Sequence, residues 1–177
     1  LYDYFHISKD FYCSILPTAT PYARNAIFSG LFPAEIEKTF PEIWKGARED
    51  EYSRNRSERQ LMDAQLERYG LNLTENTRYI KILDTEEARY TERKLESYYK
   101  FPLVSVVVNF VDNLAHKRSE SEVLKEITPN ESAYRSLTCS WFEHSSLFGI
   151  FKQLAKTDYE VIVTTDHGSV RGMRATK

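Results

Sequence analysis

The run Leu103 to Val111 (LVSVVVNFV) constrains this chain more than any other stretch. Its apolar residues fall at successive positions rather than alternate ones. Side chains alternate faces along a strand, so the run is apolar on both faces and predicts a central, buried, parallel strand. Val161 to Thr165 predicts a second buried strand, and Tyr79 to Leu83 a short one. Phe11 to Leu16 (FYCSIL) predicts another that ends at Pro17.

Helical patterns lie between these runs. Pro21 at a first helical position favours a helix through about Phe28, closed by Ser29-Gly30. Leu31-Phe32-Pro33 opens a turn and a short helix, and Pro41 to Trp44 forms a helical turn. Leu61, Met62, Gln65, Leu66 and Tyr69 make a helical stripe, with Gly70 as the residue that closes it. Thr85, with Glu87 and Glu92, opens a helix to about Tyr99. After a polar loop to Asn130, a long helix runs from Ser132 to about Lys156, with Tyr134, Leu137, Trp141, Phe148, Phe151 and Leu154 on one side. Strands that alternate with helices predict an α/β layered sheet with helices on both faces.

Length and composition set limits on function. The 177 residues suffice for one domain with a sizeable core. A net charge of −2 implies no general affinity for polyanions. The charge cluster from Glu49 to Arg59 mixes signs, which favours a solvated helix face over a nucleic-acid surface. Nothing approaches the length of a membrane span, and no export signal is visible. Cys13 and Cys139 sit in apolar runs and read as buried thiols rather than a disulfide, so the cytoplasm is the simplest compartment. Only 6 glycines are present, and no closing strand follows the Asp-His-Gly motif. The chain is therefore expected to be a piece of a larger protein.

Three segments carry groups suited to metal-assisted chemistry. Asp112 and His116 lie four apart just beyond the Leu103–Val111 run. On a first helical turn or a tight loop, both reach one cation, and a carboxylate with an imidazole suits zinc. The alternative is an N-cap by Asp112 with an exposed His116. Asp166 and His167 follow the Val161–Thr165 run. Adjacent side chains on a strand point apart, so these two share a metal only where the strand has ended, and Gly168 permits that turn. The alternative is an ordinary strand-to-loop turn. Thr20 stands before Pro21 at a predicted helix start, where amide groups favour an anion and a metal-bound hydroxyl becomes a nucleophile. An N-cap threonine is the alternative. Arg24 falls one turn later, placed to hold phosphoryl oxygens or to form a surface salt bridge. His144 reads as a polar-face residue of the long helix, and His6 has no neighbouring partner in sequence.

The segment PTATPYARNAIFSGLFP resembles the nucleophile segment of the alkaline phosphatase superfamily, in its PglZ branch. The superfamily's Asp-x-x-x-His pair matches Asp112 and His116, and its Asp-His pair matches Asp166 and His167. The ATPYARNAIFSGLFP and SAYRSLTCSWFEHS stretches are similar to the PorX-type response regulators of Bacteroidetes, which act in type IX secretion. The resemblance covers nearly all of the chain and implies an alkaline-phosphatase-like fold. It further implies a cytoplasmic phosphodiesterase with two zinc ions, Thr20 as metal-bound nucleophile and Arg24 on the substrate. The implied substrate is a nucleotide or oligonucleotide phosphodiester. The implied partners are a receiver domain in the same polypeptide and a sensor kinase, with no membrane; a homodimer is compatible with it.

The chain departs from the family pattern at both ends. The family's first strand with an early metal-binding Asp would lie upstream, since Asp3 and Asp10 have no such context. A late His ligand would lie beyond Lys177. Residues 1–177 thus read as a partial PglZ domain that lacks the first strand and the C-terminal metal-ligand segment. A rival reading is a non-catalytic signalling module with a structural or vestigial zinc site, docking through exposed Trp44, Tyr98 and Tyr99.

Overall fold

The computed structural model describes residues 1–45 and 56–168. The chain divides into two compact units, Leu1–Ile7 with Thr77–Val161, and Ser8–Asn76 with Ile162–Lys177. The charged cluster up to residue 55 lies outside the described residues; from it, Arg59 pairs with Asp63 one turn on, at 2.8 Å.

The first unit is built on a βαβ crossover. Strands β1 (Thr77–Ile82) and β2 (Leu103–Val108) run parallel, in register from Thr77 opposite Leu103 to Ile82 opposite Val108. Helix α5 (Thr85–Lys94) and a 3₁₀ turn (Leu95–Tyr98) connect them. Asp84 rather than Thr85 caps α5: its carboxylate accepts from Glu87 N, while the Glu87 carboxylate accepts from Leu83 N. The core gathers Ile82, Leu95, Tyr98 and Ile150, with Val104, Val108 and Leu154 against them. Tyr159 closes the crossover from outside by donating its hydroxyl to the Phe101 carbonyl at 2.5 Å.

Three expectations for this unit are corrected. β2 stops at Val108, and Phe110 already opens α6 (Phe110–Glu120). The Phe110 ring stacks on Trp141 at 3.5 Å, and the Tyr134 hydroxyl donates to the Val111 carbonyl at 3.0 Å, so these contacts draw the end of the apolar run into a helix. The expected polar loop is the remainder of α6 followed by α7 (Glu122–Ile127). Arg118 joins the two by donating to the carbonyl and hydroxyl of buried Thr128. The long helix is two, α8 (Glu131–Glu143) and α9 (Ser146–Leu154). Ser145 breaks it because its hydroxyl accepts from Phe148 N and caps α9. His144 is the C-cap of α8, and its Nδ1 lies 2.8 Å from the Ser140 carbonyl oxygen.

The second unit packs α1 (Thr20–Ser29), α2 (Pro33–Thr39), α3 (Pro41–Lys45) and α4 (Glu58–Arg68) around fully buried Ile36 and Leu61. Gly30 ends α1 with φ +62°. A Cβ there would stand 2.6 Å from the Gln65 side-chain amide on α4, so the helices approach closely at this point. Gly30→Ala is expected to cost about 1–2 kcal/mol, since the left-handed backbone disfavours any side chain. Urea unfolding of the variant checks this.

Neither Phe11–Leu16 nor Val161–Thr165 forms a strand. Both run without ladder partners among the described residues, and both expose their apolar side chains: Phe11 is 94% exposed and Ile162 82%. A parallel run is buried only where neighbouring strands and helices cover it, so sequence pattern alone overstated its burial. Cys13 and Cys139 are likewise exposed, as free thiols. Tyr98 is buried while Trp44 and Tyr99 are half-buried, so they do not form the exposed aromatic patch that a docking module would present. No helix among the described residues is long and apolar enough to cross a membrane.

Candidate active site

The site is built at the start of α1. Ala19 is the N-cap and Thr20 the first helical residue, with Pro21 following, so the helix opens one residue earlier than expected. Thr20 is therefore not an N-cap threonine, and its hydroxyl is spent elsewhere. Thr20 Oγ1 lies 2.8 Å from His167 Nε2. The other ring nitrogen, Nδ1, lies 2.9 Å from the Gly168 carbonyl oxygen. A carbonyl only accepts, so Nδ1 carries the proton and Nε2 presents its lone pair. The Thr20 hydroxyl accordingly donates to Nε2.

Asp166 completes the cluster. Its Oδ2 lies 3.9 Å from His167 Nε2, beyond hydrogen-bonding distance, and is buried with no hydrogen-bond partner among the described residues. The Asp-His-Gly turn therefore brings both side chains to one place even though no strand precedes it. Thr20, Asp166 and His167 are thus gathered within the second unit from positions far apart in sequence.

Arg24 lies one turn after Thr20 on α1, and its Nε donates to Oε1 of Glu58 at the start of α4. Glu58 is almost fully buried and Arg24 largely so, which makes this an interior ion pair rather than the surface salt bridge that stood as the alternative to phosphoryl binding. Sequence reasoning missed Glu58, which sits in the charged stretch read as solvated.

Asp112 and His116 belong to the first unit. Both lie on α6, four residues apart, so they share one face of the helix. Asn109 rather than Asp112 is the N-cap. His116 is exposed. Among the described residues, no group of three His, Cys, Asp or Glu side chains gathers. The Thr20 hydroxyl oxygen is a third donor beside Asp166 and His167.

Residues 3–177 match the family described as the BREX system PglZ alkaline phosphatase-like domain, and the chain belongs to it. No curated protein matches the chain. Its fold is the alkaline-phosphatase-like α/β fold of PglZ domains, within a superfamily of generally metal-dependent phosphoester hydrolases.

Proposed function

We propose that this PglZ domain is a zinc-dependent phosphodiesterase in which Thr20 is the nucleophile. One observation carries the reading: the Thr20 hydroxyl, His167 Nε2 and the buried, unpartnered Asp166 Oδ2 converge. A buried carboxylate oxygen without a partner costs free energy unless a cation satisfies it. Carboxylate and imidazole donors are those zinc takes, and a histidine whose Nδ1 proton goes to a carbonyl is the tautomer that binds through Nε2. Asp166, His167 and Thr20 would hold one ion, and Asp112 with His116 a second. Bound zinc supplies Lewis acidity, lowering the pKa of a coordinated hydroxyl and drawing charge from phosphoryl oxygens.

The chain's own residues account for the remaining steps. Thr20 Oγ1 and His167 Nε2 already stand 2.8 Å apart, so both donor atoms are in place for one cation before substrate arrives. Thr20 Oγ1 attacks phosphorus while the bond to the leaving alcohol breaks; the threonine proton ends on that alcohol, and the phosphoryl group, still esterified to the second alcohol, is left on Thr20. Water then cleaves the ester to Thr20 and restores the hydroxyl. The N-terminal end of the α1 dipole and the Arg24 cation would supply positive potential for the phosphoryl oxygens.

Hydrolysis of bis-p-nitrophenyl phosphate by the intact protein tests the reading. Turnover lost on chelation and restored by zinc is expected; turnover indifferent to zinc, or none, overturns it. Asp166→Asn is expected to weaken zinc binding at least about tenfold, read by equilibrium dialysis. We further infer a cytoplasmic output domain of a two-component response regulator, acting on nucleotide-type phosphodiesters. Its support is the likeness of ATPYARNAIFSGLFP and SAYRSLTCSWFEHS to the PorX-type proteins.

A further inference from the structure

We propose that Tyr12 and Ser14 are positioning residues that set the cation affinity of Thr20, Asp166 and His167. The inference rests on the reading of those three as a cation site. Its basis is the backbone of residues 165–168, where four successive carbonyls each accept from a side-chain donor. The Tyr12 hydroxyl donates to the Thr165 carbonyl, and the Ser14 hydroxyl to the Asp166 carbonyl at 2.6 Å. Thr165 Oγ1 donates to the His167 carbonyl at 2.8 Å, and His167 Nδ1 to that of Gly168 at 2.9 Å. Thr164 Oγ1 in turn donates to the Tyr12 hydroxyl oxygen at 3.2 Å, which sets that hydroxyl's rotation.

The geometric consequence follows from peptide planarity. Pinning a carbonyl oxygen fixes the orientation of its whole peptide plane. The Thr165 and Asp166 carbonyls belong to the two planes that flank the Asp166 Cα. The Asp166 and His167 carbonyls belong to the two that flank the His167 Cα. Backbone φ and ψ are thus held at both residues, and with them the directions in which the carboxylate and the imidazole leave the chain. In a sheet a ladder would do this; no strand forms here, and hydroxyls replace it. Tyr12 and Ser14 donate to successive carbonyls, so both hydroxyls face the same stretch of backbone. Donors that orient metal ligands without touching the metal typically control affinity by 10–100-fold.

The test is zinc affinity of the full chain, measured by competition with a chromophoric chelator. Tyr12→Phe and Ser14→Ala are each expected to weaken zinc about tenfold, and the double variant about 100-fold. Ser14→Thr keeps the donor and is expected to retain the affinity. The visible spectrum of the cobalt-substituted protein should change in Tyr12→Phe and Ser14→Ala, a response that a general loss of stability would not give. Tyr12→Phe removes one oxygen from a ring that is already 58% exposed, so the fold is not at stake, and a thermal melt checks this. A wild-type chain that binds zinc, with variants of equal affinity and spectrum, overturns the positioning role and leaves the site standing. A wild-type chain that binds no zinc overturns the site and this inference together.

Discussion

Thr20→Ala is expected to lower hydrolysis of bis-p-nitrophenyl phosphate by about 10³-fold or more, because no other group replaces a nucleophile held in place. The far-ultraviolet circular dichroism should not change, since alanine is at least as good as threonine at a first helical position. Zinc should still bind through Asp166 and His167, with lower affinity. Thr20→Ser keeps the hydroxyl and should retain most of the turnover. Stopped-quench trapping of a phosphorylated chain in wild type, absent in Thr20→Ala, would identify the acceptor atom. Turnover unchanged in Thr20→Ala would remove Thr20 from the chemistry, whereas no turnover in the wild type would favour a zinc-stabilised interaction module.

The second large effect concerns the ion pair behind the site. Arg24→Met is expected to cost roughly 3 kcal/mol, because it removes the Arg24 cation from the buried Glu58 carboxylate. The figure sits at the low end of the range for broken buried pairs, since the Arg24 side chain keeps 13% of its surface in water. Arg24→Met with Glu58→Leu should recover most of the loss, because both charges are then gone. Denaturant unfolding reads the stability and steady-state kinetics reads the chemistry. If Arg24 served substrate alone, Arg24→Met would lower kcat/KM with stability intact. If it serves packing alone, the double variant would restore stability and lose no activity. Loss of activity in a stable double variant assigns it both roles.

Local signals in the sequence were read well where the physics is local. Gly30 as the end of α1 and the stripe Leu61, Met62 and Leu66 depend on backbone conformation and helical period, which a short window contains. The three-residue gathering of Thr20, Asp166 and His167 was legible only as chemistry, through donor types beside apolar runs. Their approach depends on chain topology, and the Asp166 Oδ2 vacancy in hydrogen bonding appears only in three dimensions. The strands at Phe11–Leu16 and Val161–Thr165 were misread because apolar, β-branched composition reports the capacity to be a strand. The ladder itself requires a partner. Glu58 was missed because a carboxylate in a mixed-charge stretch looks solvated until its helix is docked on α1. Tyr12 and Ser14 did carry a signal, two hydroxyls at alternate positions of FYCSIL, beside a motif whose carbonyls would need donors.

The filled carbonyls at 165–168 also bear on how this chain behaves in a crowd. An extended, apolar, unladdered segment is a template on which another chain can grow a strand, and such edges seed aggregation. Growth needs acceptors as well as donors. Here the acceptors of the Asp-His-Gly turn are already occupied by the protein's own side chains. The same hydroxyls that aim the metal-ligand candidates thereby close that edge where it meets the turn, at Thr165, so a variant that loosens the site would also lengthen the open edge and raise self-association.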